Sequence, residues 1–177
     1  PTYNDFQYKV NVKINRKNKV SFIGLGAIDN FNLNASVNDN ISDQETVEYN
    51  NFILGNIPLQ NQWNYTVGVN WLHYSKNSYQ NIVASRNMLN NSAIRYKDLI
   101  ETQENLLLDY SSFEAENKLR FEHTFNRNGW KVNAGFGYEH AQYYNSTFNN
   151  ITVQGQPITI DYESNLYLSK FALFSQV

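Results

Sequence analysis

Hydrophobic and polar residues alternate with a period of two along much of this chain. From Phe6 to Asn15, Phe6, Tyr8, Val10, Val12 and Ile14 fall on one side. Gln7, Lys9, Asn11, Lys13 and Asn15 fall on the other. From Gln62 to Tyr74 the apolar side carries Trp63, Tyr65, Val67, Val69, Trp71 and His73. From Phe113 to Phe125 it carries Phe113, Ala115, Leu119, Phe121 and Phe125, interrupted by Asn117 and His123. Its polar side is Glu114, Glu116, Lys118, Arg120, Glu122 and Thr124. From Trp130 to Tyr138, Trp130, Val132, Ala134, Phe136 and Tyr138 oppose Lys131, Asn133, Gly135, Gly137 and Glu139. Successive side chains of a strand point to opposite faces, so each run predicts a β-strand with one wet and one apolar face.

Three further strands are less regular. Val20–Asp29 is apolar on both sides and leaves its register open; Ser78–Asn90 reads as a weak strand; Tyr167–Val177 reads as another strand. Short polar turns are predicted at 15–18, 75–78 and 126–129. Between them lie Asn-rich stretches at about 30–61, 91–108 and 144–158, which read as long loops. Short turns alternating with long loops, and strands of roughly the 9–11 residues that cross a bilayer at a tilt, predict an antiparallel transmembrane β-barrel segment of about seven strands. A soluble β-sandwich also alternates. Its inward face is usually aliphatic, whereas here the apolar face carries all three Trp with many Tyr and Phe.

Composition supports a polar but weakly charged protein. Only 17% of residues are charged and 15% are aromatic, with 29 Asn, and the mean hydropathy is −0.58. The net charge of −2 lacks the basic excess of a nucleic-acid partner. With no cysteine, disulfide scaffolds and thiolate sites are excluded. His73, His123 and His140 lack metal-ligand spacing, so catalytic, cofactor and metal sites are not expected and the chain does not read as an enzyme. The carboxylates on the wet face are interleaved with cations. Glu114, Glu116, Lys118, Arg120, Glu122, Lys131 and Glu139 are therefore expected to form a salt-bridged lumen wall rather than an acid–base pair.

The stretches SFIGLGAIDNFNLN (21–34), NKLRFEHTFNRNGWKVNAGFGYEHAQYYN (117–145) and FALFSQV (171–177) resemble barrel segments of TonB-dependent outer-membrane receptors of Bacteroidota. The resemblance implies a barrel of about 22 strands around a plug. It implies active import of a nutrient such as a glycan, peptide or metal chelate across the outer membrane of a Gram-negative bacterium. The partners it implies are membrane lipid, TonB and a surface lipoprotein. No plug or TonB box is recognisable, so residues 1–177 are expected to be part of one barrel domain, a segment of something larger. The alternatives are a soluble or surface sandwich module that binds glycans, or a passive porin-like barrel.

Closing the third hairpin over 126–129 pairs positions whose numbers sum to about 255. Glu116 then lies opposite Glu139 and Lys118 opposite Gly137, with His123 facing Val132 and His140 facing Ala115. On that register Lys118 is expected to bridge Glu116 and Glu139, and Lys131 to approach Glu122.

Overall fold

The computed structural model describes residues 1–177, the side chain of Ala35 excepted. Seven strands form one antiparallel sheet in sequential order: β1 (Thr2–Lys13), β2 (Asn18–Phe31), β3 (Leu59–Tyr74), β4 (Ser78–Tyr96), β5 (Leu106–Arg127), β6 (Trp130–Val153) and β7 (Gln156–Gln176). Each strand pairs with the next, and the outer edges of β1 and β7 are unpaired. There is one sheet and no second β-layer among the described residues, so the two-layer packing of a sandwich is absent. The sheet is open rather than closed into a barrel.

Three of the predicted loops change character. The stretch 30–61 begins and ends as strand and contains a helix, α1 (Gln44–Asn56). The Asp43 carboxylate caps its first turn, accepting from the Thr46 amide at 3.0 Å and from the Thr46 hydroxyl. Of 91–108, only 97–105 lies outside strands. The predicted loop 144–158 is not a loop at all. β6 and β7 run through it and close over Gln154–Gly155, whose φ values are +52° and +78°. Two successive positive φ angles define the two-residue turn that matches strand twist, and Gly tolerates that geometry without a Cβ clash.

The same chemistry moves the predicted register of β5 and β6. Asn128 and Gly129 have φ of +50° and +82°, so the loop is those two residues and Arg127 pairs with Trp130. Facing positions are Lys118↔Glu139, Glu116↔Ala141 and Arg120↔Gly137. His123 faces Ala134 and His140 faces Asn117, not Val132 and Ala115. The displacement is two residues, so every side chain keeps its predicted face.

The register also settles β2. Val20, Phe22, Gly24, Gly26 and Ile28 share a face with Phe6–Val12 of β1 and Trp63–Trp71 of β3, while Ile23, Leu25 and Ala27 lie opposite. A Cβ on Gly24 would sit 2.2 Å from the Tyr8 ring, and one on Gly26 would sit 2.4 Å from the Phe6 ring. The two glycines are the floor on which these aromatic rings lie.

Two features distinguish the sheet from a globular domain. Its only buried hydrophobic residues are Leu106 and Ala115 among those described. It exposes 12723 Å², whereas a compact protein of 20.6 kDa exposes about 8,900 Å². Secondly, the hairpin ends are stepped. The row through the β1–β2 closing pair Lys13↔Lys19 reaches β5 at Glu122. β5 itself turns five residues further on, at Arg127. That is slightly more than one residue of drift per strand.

Candidate functional site

Rows of partners, read across the ladder, bring the seven strands' alternations into phase. One row is Val12–Val20–Trp71–Ile82–Phe121–Phe136–Leu173; the next toward the loops is Val10–Phe22–Val69–Ala84–Leu119–Tyr138–Phe171. Phe121 and Phe136 meet with ring centroids 5.7 Å apart, and Tyr138 and Phe171 at 4.7 Å. All three Trp lie on this face. These two rows are apolar throughout, and turnward of them Phe125, Trp130, Val132 and Ala134 mix with Asn18, His73, Gln80, His123 and Ser175.

The opposite face is the predicted wall. Lys118 Nζ lies 2.9 Å from Glu116 and 3.9 Å from Glu139, so it bridges both as expected. Because Glu139 is now directly across the ladder, this bridge survives the register correction. Arg120 pairs with Glu122 on its own strand and lies 5.1 Å over the Phe174 ring. Lys131 does not approach Glu122. It faces Asn126 beside the turn, while Glu122 faces Gly135. Glu114 faces Leu89 on one side and Tyr143 on the other. Lys170 extends the ladder, reaching Glu139 at 3.5 Å. Sequence reasoning missed Lys170 and Phe174 because it assigned no register to β7, although their alternation with Phe171 and Leu173 was the available signal.

These ion pairs sit on partly exposed side chains, so each is worth about 0–1 kcal/mol. Two amide oxygens near the turn side of the wall, Asn70 Oδ1 and Asn81 Oδ1, are buried with no hydrogen-bond partner in the sheet.

Toward the loops the wet face opens into a cleft of about 420 Å³ lined by Tyr3, Asp29, Gln60, Gln62, Asn91 and Tyr110 among others. Side-chain amides supply both donors and acceptors, and the phenols add flat apolar surface with a polar tip. The cleft therefore suits a hydroxyl- or amide-bearing ligand, with the Asp29 carboxylate as a further acceptor. No cluster of His, Asp or Glu able to hold a metal occurs among the described residues. His73 bonds Asn18 at 2.8 Å, and His140 bonds Ser169 at 3.0 Å. No helix is long and apolar enough to cross a membrane, which has no bearing on crossing by strands.

No protein-family model matches the sequence, and no curated protein matches it either.

Proposed function

We propose that this chain is a segment of a transmembrane β-barrel in the outer membrane of a Gram-negative bacterium, belonging to a receptor of the TonB-dependent type. The observation that carries this reading is the distribution of charge between the two faces. Between the turn ends and the row of Asn4, Ile28 and Trp63, the apolar face carries two charged residues among those described, Arg86 and, in the closing pair of the β5–β6 turn, Arg127. The wet face carries Asp5, Lys9, Lys13, Lys19, Glu114, Glu116, Lys118, Arg120, Glu122, Lys131, Glu139 and Lys170 over the same span. Such segregation suits lipid on one side and an aqueous lumen on the other.

The stepped hairpins support the same reading. At ~3.3 Å per residue and ~4.8 Å between strands, a drift of slightly more than one residue per strand corresponds to a tilt of roughly 40°, within the 35–45° of closed barrels. The apolar band steps in the same sense, from Phe6–Val12 in β1 to Val132–Tyr138 in β6.

In this reading the turns at 14–17, 75–77 and 128–129 face the periplasm, while α1 and the 97–105 segment stand outside the cell. The cleft around Gln62 and Tyr110 belongs to the ligand vestibule. The wall from Glu116 to Lys170 faces the receptor's plug. Import is driven through TonB by parts of the receptor other than this segment, with a surface lipoprotein as partner. The chain performs no catalysis. Topology tests the assignment: on intact cells expressing the receptor, cysteine at Asn40 or Gln154 reacts with an impermeant maleimide and cysteine at Lys17 does not. The opposite labelling would overturn it.

A further inference from the structure

We propose that Arg86 is a docking point for the phosphate of an anionic glycolipid of the lipid A class in the outer leaflet; this rests on the apolar face meeting lipid. Arg86 lies in the row Tyr8–Gly24–Val67–Arg86–Asn117–His140–Ser169, on the loop side of the all-apolar rows. The row is polar only from β4 to β7, where the stepped geometry brings it to the upper margin of the apolar band. Its Nε donates to the Tyr65 hydroxyl at 2.9 Å, and Nη1 donates to Asn117 Oδ1 at 2.9 Å. These two bonds fix the guanidinium plane against the sheet. No acceptor for Nη2 and no carboxylate partner for Arg86 is found among the described residues.

The acids that share its face, Asp109, Asp161 and Glu163, stand several rows further toward the loops. An uncompensated cation on a lipid-facing surface is costly unless an anion meets it at the interface. A guanidinium presents a planar fork of donors that matches phosphate oxygens. Tyr65, Tyr144 and Tyr167 surround this level as an interfacial aromatic belt would. A phosphorylated headgroup set above acyl chains fits that arrangement, with the chains lying along Val69, Ala84 and Leu119.

The test uses the complete receptor in detergent, incubated with lipid A or with dephosphorylated lipid A, and counts bound lipid by native mass spectrometry. Wild type should retain lipid A and lose the dephosphorylated form. Arg86→Gln should retain at least about fivefold less lipid A, and Arg86→Lys, which keeps the charge but loses the fork, about two- to threefold less. Arg127→Gln, on the same face but at the turn end, should match wild type. Retention unchanged in both Arg86 variants, insensitivity to the phosphate, or an equal loss in Arg127→Gln would each overturn the proposal. Quenching of Trp63, Trp71 and Trp130 by bromine-labelled acyl chains separates the two layers of argument. Absence of quenching refutes the lipid-facing reading itself, whereas quenching with Arg86-independent retention refutes only this inference.

Discussion

The turn-side and loop-side halves of the same strands obey different rules. In β6, Trp130–Tyr138 separates cleanly into apolar Trp130, Val132, Ala134, Phe136 and Tyr138 against Lys131, Asn133, Gly135, Gly137 and Glu139. Asn145–Val153 has no such separation, with Asn145, Thr147 and Asn149 on one face and Ser146, Asn150 and Thr152 on the other. In β5 and β7 the loop-side pattern even inverts. The face that is apolar near the turns carries Asp109, Asp161 and Glu163 near the loops, while Leu108, Ile158 and Ile160 lie on the other face. The ladder itself runs unbroken through both halves. Backbone pairing therefore sets the length of the hairpin, and the surroundings set the pattern of side chains. A lipid-facing surface excludes charge; a strand standing in water beyond the membrane is under no such constraint. At ~3.3 Å per residue, the 24 residues of β6 span about 80 Å, and a bilayer crossing of 9–11 residues occupies less than half of it.

The largest effect expected from this contrast is at Phe121. Arginine there, mid-band and in place of the ring that packs tilted against Phe136, should cost roughly 2–4 kcal/mol in urea titrations of the receptor refolded into vesicles. Val132→Arg, nearer the turn, should cost less. Ser146→Arg, on the same face in the loop-side half, should change stability by less than about 0.5 kcal/mol. Equal costs at Phe121 and Ser146 would abolish the distinction.

Packing sharpens the picture within the turn-side half. A Cβ on Gly135 would lie 2.2 Å from the Phe121 carbonyl oxygen and 2.7 Å from the Phe174 ring, while one on Gly137 meets nothing within 4 Å. Gly135→Ala should cost about 1–3 kcal/mol and Gly137→Ala close to nothing, both read from the same urea titrations. The turns, by contrast, should be indifferent to the division. Gly129→Ala and Gly155→Ala each place a Cβ at positive φ and should each cost about 1 kcal/mol. Clearly unequal values would mean that the two hairpins close by different geometry.

What could be read from sequence follows the same division. Strands whose faces meet different media announce themselves by alternation, so Phe6–Asn15, Gln62–Tyr74, Phe113–Phe125 and Trp130–Tyr138 were legible, with the face of each side chain. Asn145–Val153 carries six polar residues in nine, spread over both faces, so it read as a loop. The wall was legible as a set of charges, and Lys118 bridged the two carboxylates foreseen. Lys131 was misplaced because the Asn128–Gly129 turn is tighter than the four-residue loop assumed, which shifts its partner from the neighbourhood of Glu122 to Asn126. The cleft residues Gln60, Gln62, Asn91 and Tyr110 come together only through register and leave no local signal.

The smallest effects concern single charges. Lys118→Ala should lower stability by about 0–1 kcal/mol, since both its ion pairs are partly exposed. Thr46 holds the Asp43 carboxyl below its ordinary value, first through its hydroxyl and then through its amide. A depressed folded-state value means the cap contributes fully above the ordinary carboxylate range and is lost as pH falls through that lowered value. The helical signal of α1 should accordingly persist near pH 5 and weaken only in stronger acid, and Asp43→Asn should remove that dependence.

The central claim, that one face of the turn-side half meets lipid while the loop-side half stands in water, is most directly tested by scanning β6. Spin labels placed singly from Trp130 to Val153 in the bilayer-reconstituted receptor would be read for collision with oxygen and with a water-soluble nickel chelate. Oxygen access should alternate with period two from Trp130 to Tyr138, peaking at the even positions, and the chelate should dominate uniformly from Asn145 to Val153. Alternation continuing to Val153, or chelate access at Val132, Ala134 and Phe136, would contradict the account.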